Sequence, residues 1–279
     1  MLEEMGVDRV VAVDLHGGQV AGFFSPAVPV ENLESMPIGA LFFSEKHLRR
    51  PVIVAASAGG VLRAKRFRET LVEQGVEADM AMLIESREAD DAGRFEAESS
   101  GRLDLVGNVR GCDCILVEDI VDTATTMQHA AFELKRQGSR HVYGFVTHGL
   151  FSAPDSAAKI AASPIKELVT TNTVKMQPQV ERIEKITQLT MAPLLAETIR
   201  RVHQRRSISG LYQVSRTSGT ENEGEAGSSR GCDFEIMRSA IVATAEIKSA
   251  EQSPHADTFF LLLFFSLLTA PPQIIPVWI

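Results

Sequence analysis

The stretch Cys114-Ile-Leu-Val-Glu-Asp-Ile-Val-Asp-Thr-Ala-Thr-Thr-Met127 constrains this chain more than any other. Ile115, Leu116 and Val117, with Ile120 beyond two acids, form a run too short and too β-branched for a helix, and they predict a buried parallel strand. The strand is expected to end at Glu118 and Asp119. Asp122 follows, then Thr123, Ala124, Thr125 and Thr126, and a helix is expected over residues 127–137. Acids and hydroxyls therefore stand at the carboxyl end of a strand, just before a helix N-terminus, where open α/β sheets bind ligands. Helix N–H groups and threonine hydroxyls suit an anion. Adjacent carboxylates repel an anion and suit sugar hydroxyls or a magnesium ion. A phosphorylated sugar satisfies both halves of the loop. An ordinary strand–turn–helix with an Asp-Thr cap is the plainer alternative.

The flanking chain alternates strands and helices. Strands are expected at 10–13, 51–56, 79–84, 103–109, 141–147, 167–171 and 180–189. Helices are expected at 36–50, 61–75, 153–162 and 191–205, with the end of another at 2–6, and 25–32 reads as an extended loop. That alternation over 10–205 predicts a doubly wound parallel sheet. Residues 85–100 lack an apolar period and read as a mobile loop. Two further strand ends carry chemistry. Asp14-Leu15-His16 enters a Gly-rich turn, where an imidazole could meet a metal or phosphates, although a lone histidine is more often structural. Ser57-Ala-Gly-Gly60 runs into a basic helix with Arg63, Lys65, Arg66 and Arg68. It fits an anion site or a tight turn with a solvated face equally well.

A net charge of −8 argues against a nucleic-acid partner. Three cysteines make no disulfide framework and point to a reducing compartment, the cytoplasm. Cys112 and Cys114 read as small buried hydrophobes rather than metal ligands. After Leu211 the character changes. Residues 216–230 are rich in Ser, Gly, Glu and Thr and read as disordered linker. Residues 232–250 could form a helix. The apolar run 259–268 is shorter than the ~20 residues a spanning helix needs, so a membrane anchor is not expected.

The pattern apolar–acid–acid–x–x–Asp–Thr–x–x–Thr over 117–126 resembles the phosphoribosyl-diphosphate loop of type I phosphoribosyltransferase folds. A wider ordered set is more specific. Asp14-Leu15-His16 with Gln19, Gly22-Phe23-Phe24, Gly59-Gly60, Leu105-Val106-Gly107, Thr147-His148-Gly149-Leu150-Phe151-Ser152, Thr171-Asn172-Thr173 and residues 207–212 look like the ribose-phosphate diphosphokinase (phosphoribosyl-diphosphate synthetase) family. The match runs over residues 1–212. Phosphoribosyltransferases share the loop but lack the Asp-Leu-His and Thr-His-x-x-Phe-Ser pieces.

The resemblance implies an α/β type I phosphoribosyltransferase-like fold. It implies that 1–45 is the remnant of a first such domain, 46–212 a second, and 213–279 an unrelated, poorly ordered tail. The implied reaction moves the diphosphate of Mg-ATP onto ribose 5-phosphate, for nucleotide biosynthesis. His16 matches the histidine that holds Mg-ATP, Arg87 the arginine of the catalytic loop, and Glu118, Asp119, Asp122, Thr123, Ala124, Thr125 and Thr126 the ribose 5-phosphate loop. An oligomer of synthetase subunits is implied. The chain departs from the family at Glu85 (lysine in the family), Ser57 (a metal-holding acid), Glu118 (aspartate) and Thr125 (glycine, which lets the backbone close on phosphate at low steric cost). Glu85 and Ser57 motivate an alternative, a non-catalytic subunit that regulates an active synthetase.

Overall fold

A computed structural model of the chain describes residues 1–86 and 102–212. Its centre is a seven-stranded sheet built from β3 (Val52–Ala55), β4 (Asp79–Ser86), β5 (Arg102–Val106), β6 (Asp113–Val121), β7 (His141–Gly149), β8 (Ile165–Thr171) and β9 (Ile186–Leu189), in the spatial order β5-β4-β3-β6-β7-β8-β9. All neighbours pair in parallel except β4 and β5, which are antiparallel. A smaller parallel pair, β1 (Val10–Val13) with β2 (Val30–Leu33), lies outside that sheet. The mixed α/β architecture with a mostly parallel sheet agrees with the sequence reading. The antiparallel edge at β5 is an addition to it.

Helices cover both faces. Strands buried on both sides need an apolar layer above and below, which is why their sequences are continuous rather than alternating. On one face α1 (Met36–Ser44), α2 (Val61–Glu73) and α6 (Ala192–His203) close over Ile53, Ile115, Val117, Phe145 and Val169. Aromatic rings tie this layer together. Phe43 lies 6.1 Å from Phe67 and 5.9 Å from Tyr143, and Phe67 lies 5.4 Å from Phe145. On the other face α3 (Thr125–Arg136), α4 (Ser156–Ala162) and the short α5 (Pro178–Glu181) bury Val52, Val54, Leu116, Val142 and Leu168. Cys112 and Cys114 are buried, free members of this second layer. Burial pushes the Cys114 thiol up to about 12, so it stays protonated and inert. α1 precedes residue 45 but shares one apolar layer with α2.

Several boundaries move. Residues 25–32 are not all loop: Val30–Leu33 is a strand, because the extended chain after Pro29 lies beside β1, and the Pro29 carbonyl accepts from Val10 N–H. Residues 2–6 form one 3₁₀ turn (Glu3–Met5) rather than the end of a helix, and Gly6 closes it at φ 82°. α1 stops at Ser44, short of Arg50, which precedes Pro51 and sits at φ 46°. A residue before proline is disfavoured in helical geometry. Residues 180–189 divide into the end of α5 and β9. Arg87, most of the predicted mobile loop and the whole tail from 213, including 232–250 and the apolar run 259–268, lie outside the described residues. Among the described residues no helix is long and apolar enough to cross a membrane.

Candidate functional site

The site lies where the sheet changes direction. β3 connects forward to β4 on one side, while β6 begins the march to β9 on the other, so the turns after β3 and β6 diverge and leave a crevice between them. Pairing with β3 ends at Ala55↔Val117, but β6 continues along β7 through Val121. Glu118 and Asp119 are therefore within the strand, not at its end as expected. They project beyond the last residue of β3, into the crevice.

The turn after β3 faces them. A Cβ placed on Gly60 would come within 3.4 Å of one Glu118 carboxylate oxygen and 3.7 Å of Ser57 Oγ. α2 then presents Arg63, whose guanidinium donates to Asp119 Oδ2 at 2.8 Å and to Glu118 Oε2 at 3.3 Å. Burial raises the Glu118 carboxyl to about 7, against the lowering pull of Arg63 and with a further upward push from Asp119. Asp119 is buried, and its Oδ1 accepts from Ile120 N–H.

His16 arrives from the turn after β1. Its Nδ1 sits 2.6 Å from Asp119 Oδ2, and its side chain is 77% exposed. That turn is anchored from below. Asp14, at φ 41°, is buried, and its Oδ2 accepts from Ser35 N–H at 3.1 Å, Ser35 Oγ at 2.5 Å and Thr147 Oγ1 at 2.7 Å. His148 bridges the Asp14 carbonyl, 3.1 Å from Nε2, and Thr173 Oγ1, 2.8 Å from Nδ1. Leu15 N–H donates to Asn32 Oδ1. A metal-bound histidine usually turns its other ring nitrogen to a carboxylate, so the His16–Asp119 pair fits an imidazole offered to a cation. Among the described residues no group of three or more His, Cys, Asp or Glu side chains could hold a metal by itself.

The loop after β6 completes the crevice. Asp122 accepts from Ser152 N–H at 3.0 Å and from Ser152 Oγ. The Ser152 hydroxyl and then its N–H hold the Asp122 carboxyl below its ordinary value. Ala124 takes φ 61° and starts α3 without a side-chain cap. Thr125 N–H reaches Thr123 Oγ1 only at 3.5 Å. The first-turn N–H groups of α3 thus gain little from side chains, as an anion site requires. The left-handed residue is Ala124, while Thr125 already belongs to the helix, so the steric objection to Thr125 moves one position back.

The structure thus gathers His16, Glu118 and Asp119 at one centre and strings Asp122–Thr126 along one loop. Glu85 is exposed on β4, opposite Leu103. Sequence reasoning missed three contributors. Arg63 read as one of four basic residues on a helix face, with nothing to mark it as the partner of both acids. Ser35, in a connection between β2 and α1, carried no signal. Lys159 read as part of a plain helix, yet its Nζ lies 3.1 Å from Thr125 Oγ1.

Residues 84–213 match the model of the phosphoribosyl synthetase-associated domain. The chain is 38% identical over 211 residues to the ribose-phosphate pyrophosphokinase of Shewanella oneidensis, covering 76% of this chain and 62% of that protein. It is also 38% identical over 212 residues to the ribose-phosphate pyrophosphokinase of Bacillus subtilis, with the same coverage. The crystal structure of phosphoribosylpyrophosphate synthetase from Mycobacterium smegmatis superposes with a TM-score of 0.61 at 28% identity, over 73% of this chain and 61% of that one. The chain therefore spans a little under two thirds of the length of the relatives it matches.

Proposed function

This chain belongs to the ribose-phosphate pyrophosphokinase family, and on that premise we propose that its crevice carries diphosphate from Mg-ATP to ribose 5-phosphate, yielding 5-phosphoribosyl 1-diphosphate and AMP. The anomeric oxygen of the sugar attacks the β-phosphorus. The bond from that phosphorus to the oxygen bridging it to the α-phosphorus breaks, AMP leaves, and the hydroxyl proton is lost. Such transfers rely on positioning and on neutralising spread negative charge.

The observation that carries the reading is the split character of one loop. Two acids held by Arg63 stand at one end, and hydroxyls with an uncapped helix N-terminus stand at the other. Glu118 and Asp119 take the ribose hydroxyls. Thr123, Thr125 and Thr126, with the backbone at Ala124, take the 5-phosphate, and Asp122, tied to Ser152, holds the loop in place. His16, braced by Asp119, meets the magnesium and phosphates of the nucleotide. Arg87 adds a cation at the transferring group. The product feeds nucleotide biosynthesis, and the working form is a cytoplasmic oligomer with synthetase subunits.

The test is turnover. Mg-ATP and ribose 5-phosphate are supplied and AMP is followed together with the diphosphate sugar. Asp119→Asn and His16→Ala are each expected to lower the rate at least a hundredfold, the scale of losing one electrostatic stabiliser. Absence of AMP from this chain, together with a changed rate in an active synthetase to which it is added, would favour the regulatory alternative that Glu85 and Ser57 motivate. Relatives named as pyrophosphokinases favour the catalytic one.

A further inference from the structure

Lys159 reaches the 122–126 loop from α4, on the opposite side from Arg63. Its ammonium donates to Thr125 Oγ1 at 3.1 Å and to the Thr123 carbonyl at 3.4 Å. Both contacts favour an anion in the loop. A hydroxyl that accepts from an ammonium keeps its own proton for another acceptor, so Thr125 is left as a donor. The ammonium also offsets the negative end of the Thr123 carbonyl. The side chain is 27% exposed, so the charge is partly desolvated. Its carboxylate partner, Asp155 at 3.0 Å, is 62% exposed and one helical turn away. An exposed pair of this kind is weak and is given up at small cost. Asp155 itself is held below its ordinary range, first by its bond to Lys159.

We propose that Lys159 is a phosphate-binding residue. It neutralises the 5-phosphate of the sugar in the 122–126 loop, and Asp155 occupies its ammonium until that phosphate arrives. The assignment rests on the reading of the loop given above. It adds a cation that the loop's own residues do not supply and a carboxylate that competes for it. A charge-assisted bond from an ammonium to a phosphate oxygen is stronger than a neutral one and adds to the positive end of the α3 dipole.

Calorimetric titration of the full chain with ribose 5-phosphate, and separately with inorganic phosphate, tests the proposal. Lys159→Met is expected to weaken both ligands roughly tenfold or more, the scale of a hydrogen bond to a charged group. Lys159→Arg is expected to keep most of the affinity. Asp155→Asn, which leaves a good helix N-cap in place, is expected to tighten both ligands a few-fold, as release from a weak surface pair allows. A merely structural Lys159 would shift the unfolding midpoint without that gain. Unchanged affinity in Lys159→Met, or weaker binding in Asp155→Asn, overturns the proposal. If the chain binds inorganic phosphate through Lys159 but ignores ribose 5-phosphate, the phosphate role stands and the sugar reading fails.

Discussion

Glu118 is the residue at which local chemistry is most exposed to measurement. Burial raises its carboxyl from 4.5 to about 7, so the folded protein binds that proton more tightly than the unfolded chain does. Its contribution to stability is complete below the unfolded value and is lost as pH rises through about 7. The loss is on the order of 3 kcal/mol, at about 1.4 kcal/mol per unit. Relative to Glu118→Gln, the wild-type chain should melt at a progressively lower temperature between pH 5 and pH 8. A constant difference between the two proteins across that range would refute the assignment. Arg63→Met should act in the opposite sense to a harmless surface change. It leaves buried Asp119 with only His16 and the Ile120 N–H as partners and should cost roughly 1.5–3 kcal/mol by denaturant unfolding. At this scale the sequence was half legible. A pair of acids next to a threonine-rich turn announces a site from composition alone. That Arg63 holds both acids, or that Ser35 and Thr147 hold Asp14, depends on which turns the fold brings together, and no spacing along the chain encodes it.

Among the elements, β6 decides the geometry, because it outruns β3 and so carries its acids past the end of that neighbour. The apolar run told us that β6 exists and is buried. It could not tell us where the strand stops, since pairing with β7 carries the backbone through Glu118–Val121 despite their polar character. The loop after it shows the same limit. The resemblance directed attention to Thr125, whereas the left-handed backbone falls on Ala124. Ala124→Gly should therefore stabilise the chain by about 1 kcal/mol, the cost of that conformation for an L-residue. Thr125→Gly should destabilise it, having removed the acceptor of Lys159 and placed glycine in a first helical turn. Urea unfolding of the two variants separates these signs, and a stabilising Thr125→Gly would return the strain to that position. Helix α1 makes a comparable case. A Cβ on Gly39 would lie 2.4 Å from the Phe145 ring, so glycine is needed for the helix to seat on the sheet. Gly39→Ala should cost roughly 1–3 kcal/mol through overpacking, despite the better helix propensity of alanine.

For the molecule as a whole, the alternation of strand and helix sufficed to predict a mostly parallel sheet covered on both faces, because buried parallel strands leave an apolar signature that other classes lack. It did not predict the antiparallel β5, whose short run carries no mark of direction, nor that β1 and β2 would stand apart as a separate pair. The ordered motifs converge for a physical reason. Hydrogen bonds join Asp14 to Thr147 and His148, His148 to Thr173, and Ser152 to Asp122, and so brace the turns around one crevice. The central claim is that this crevice binds a phosphorylated ribose, acids to hydroxyls and loop to phosphate. Amide chemical-shift mapping of the ¹⁵N-labelled chain during titration with ribose 5-phosphate tests it most directly. The account predicts that the largest changes fall on Thr123–Met127, with smaller ones at Gly60 and Asp119. Saturable changes confined to another surface, with that loop unmoved, would contradict it.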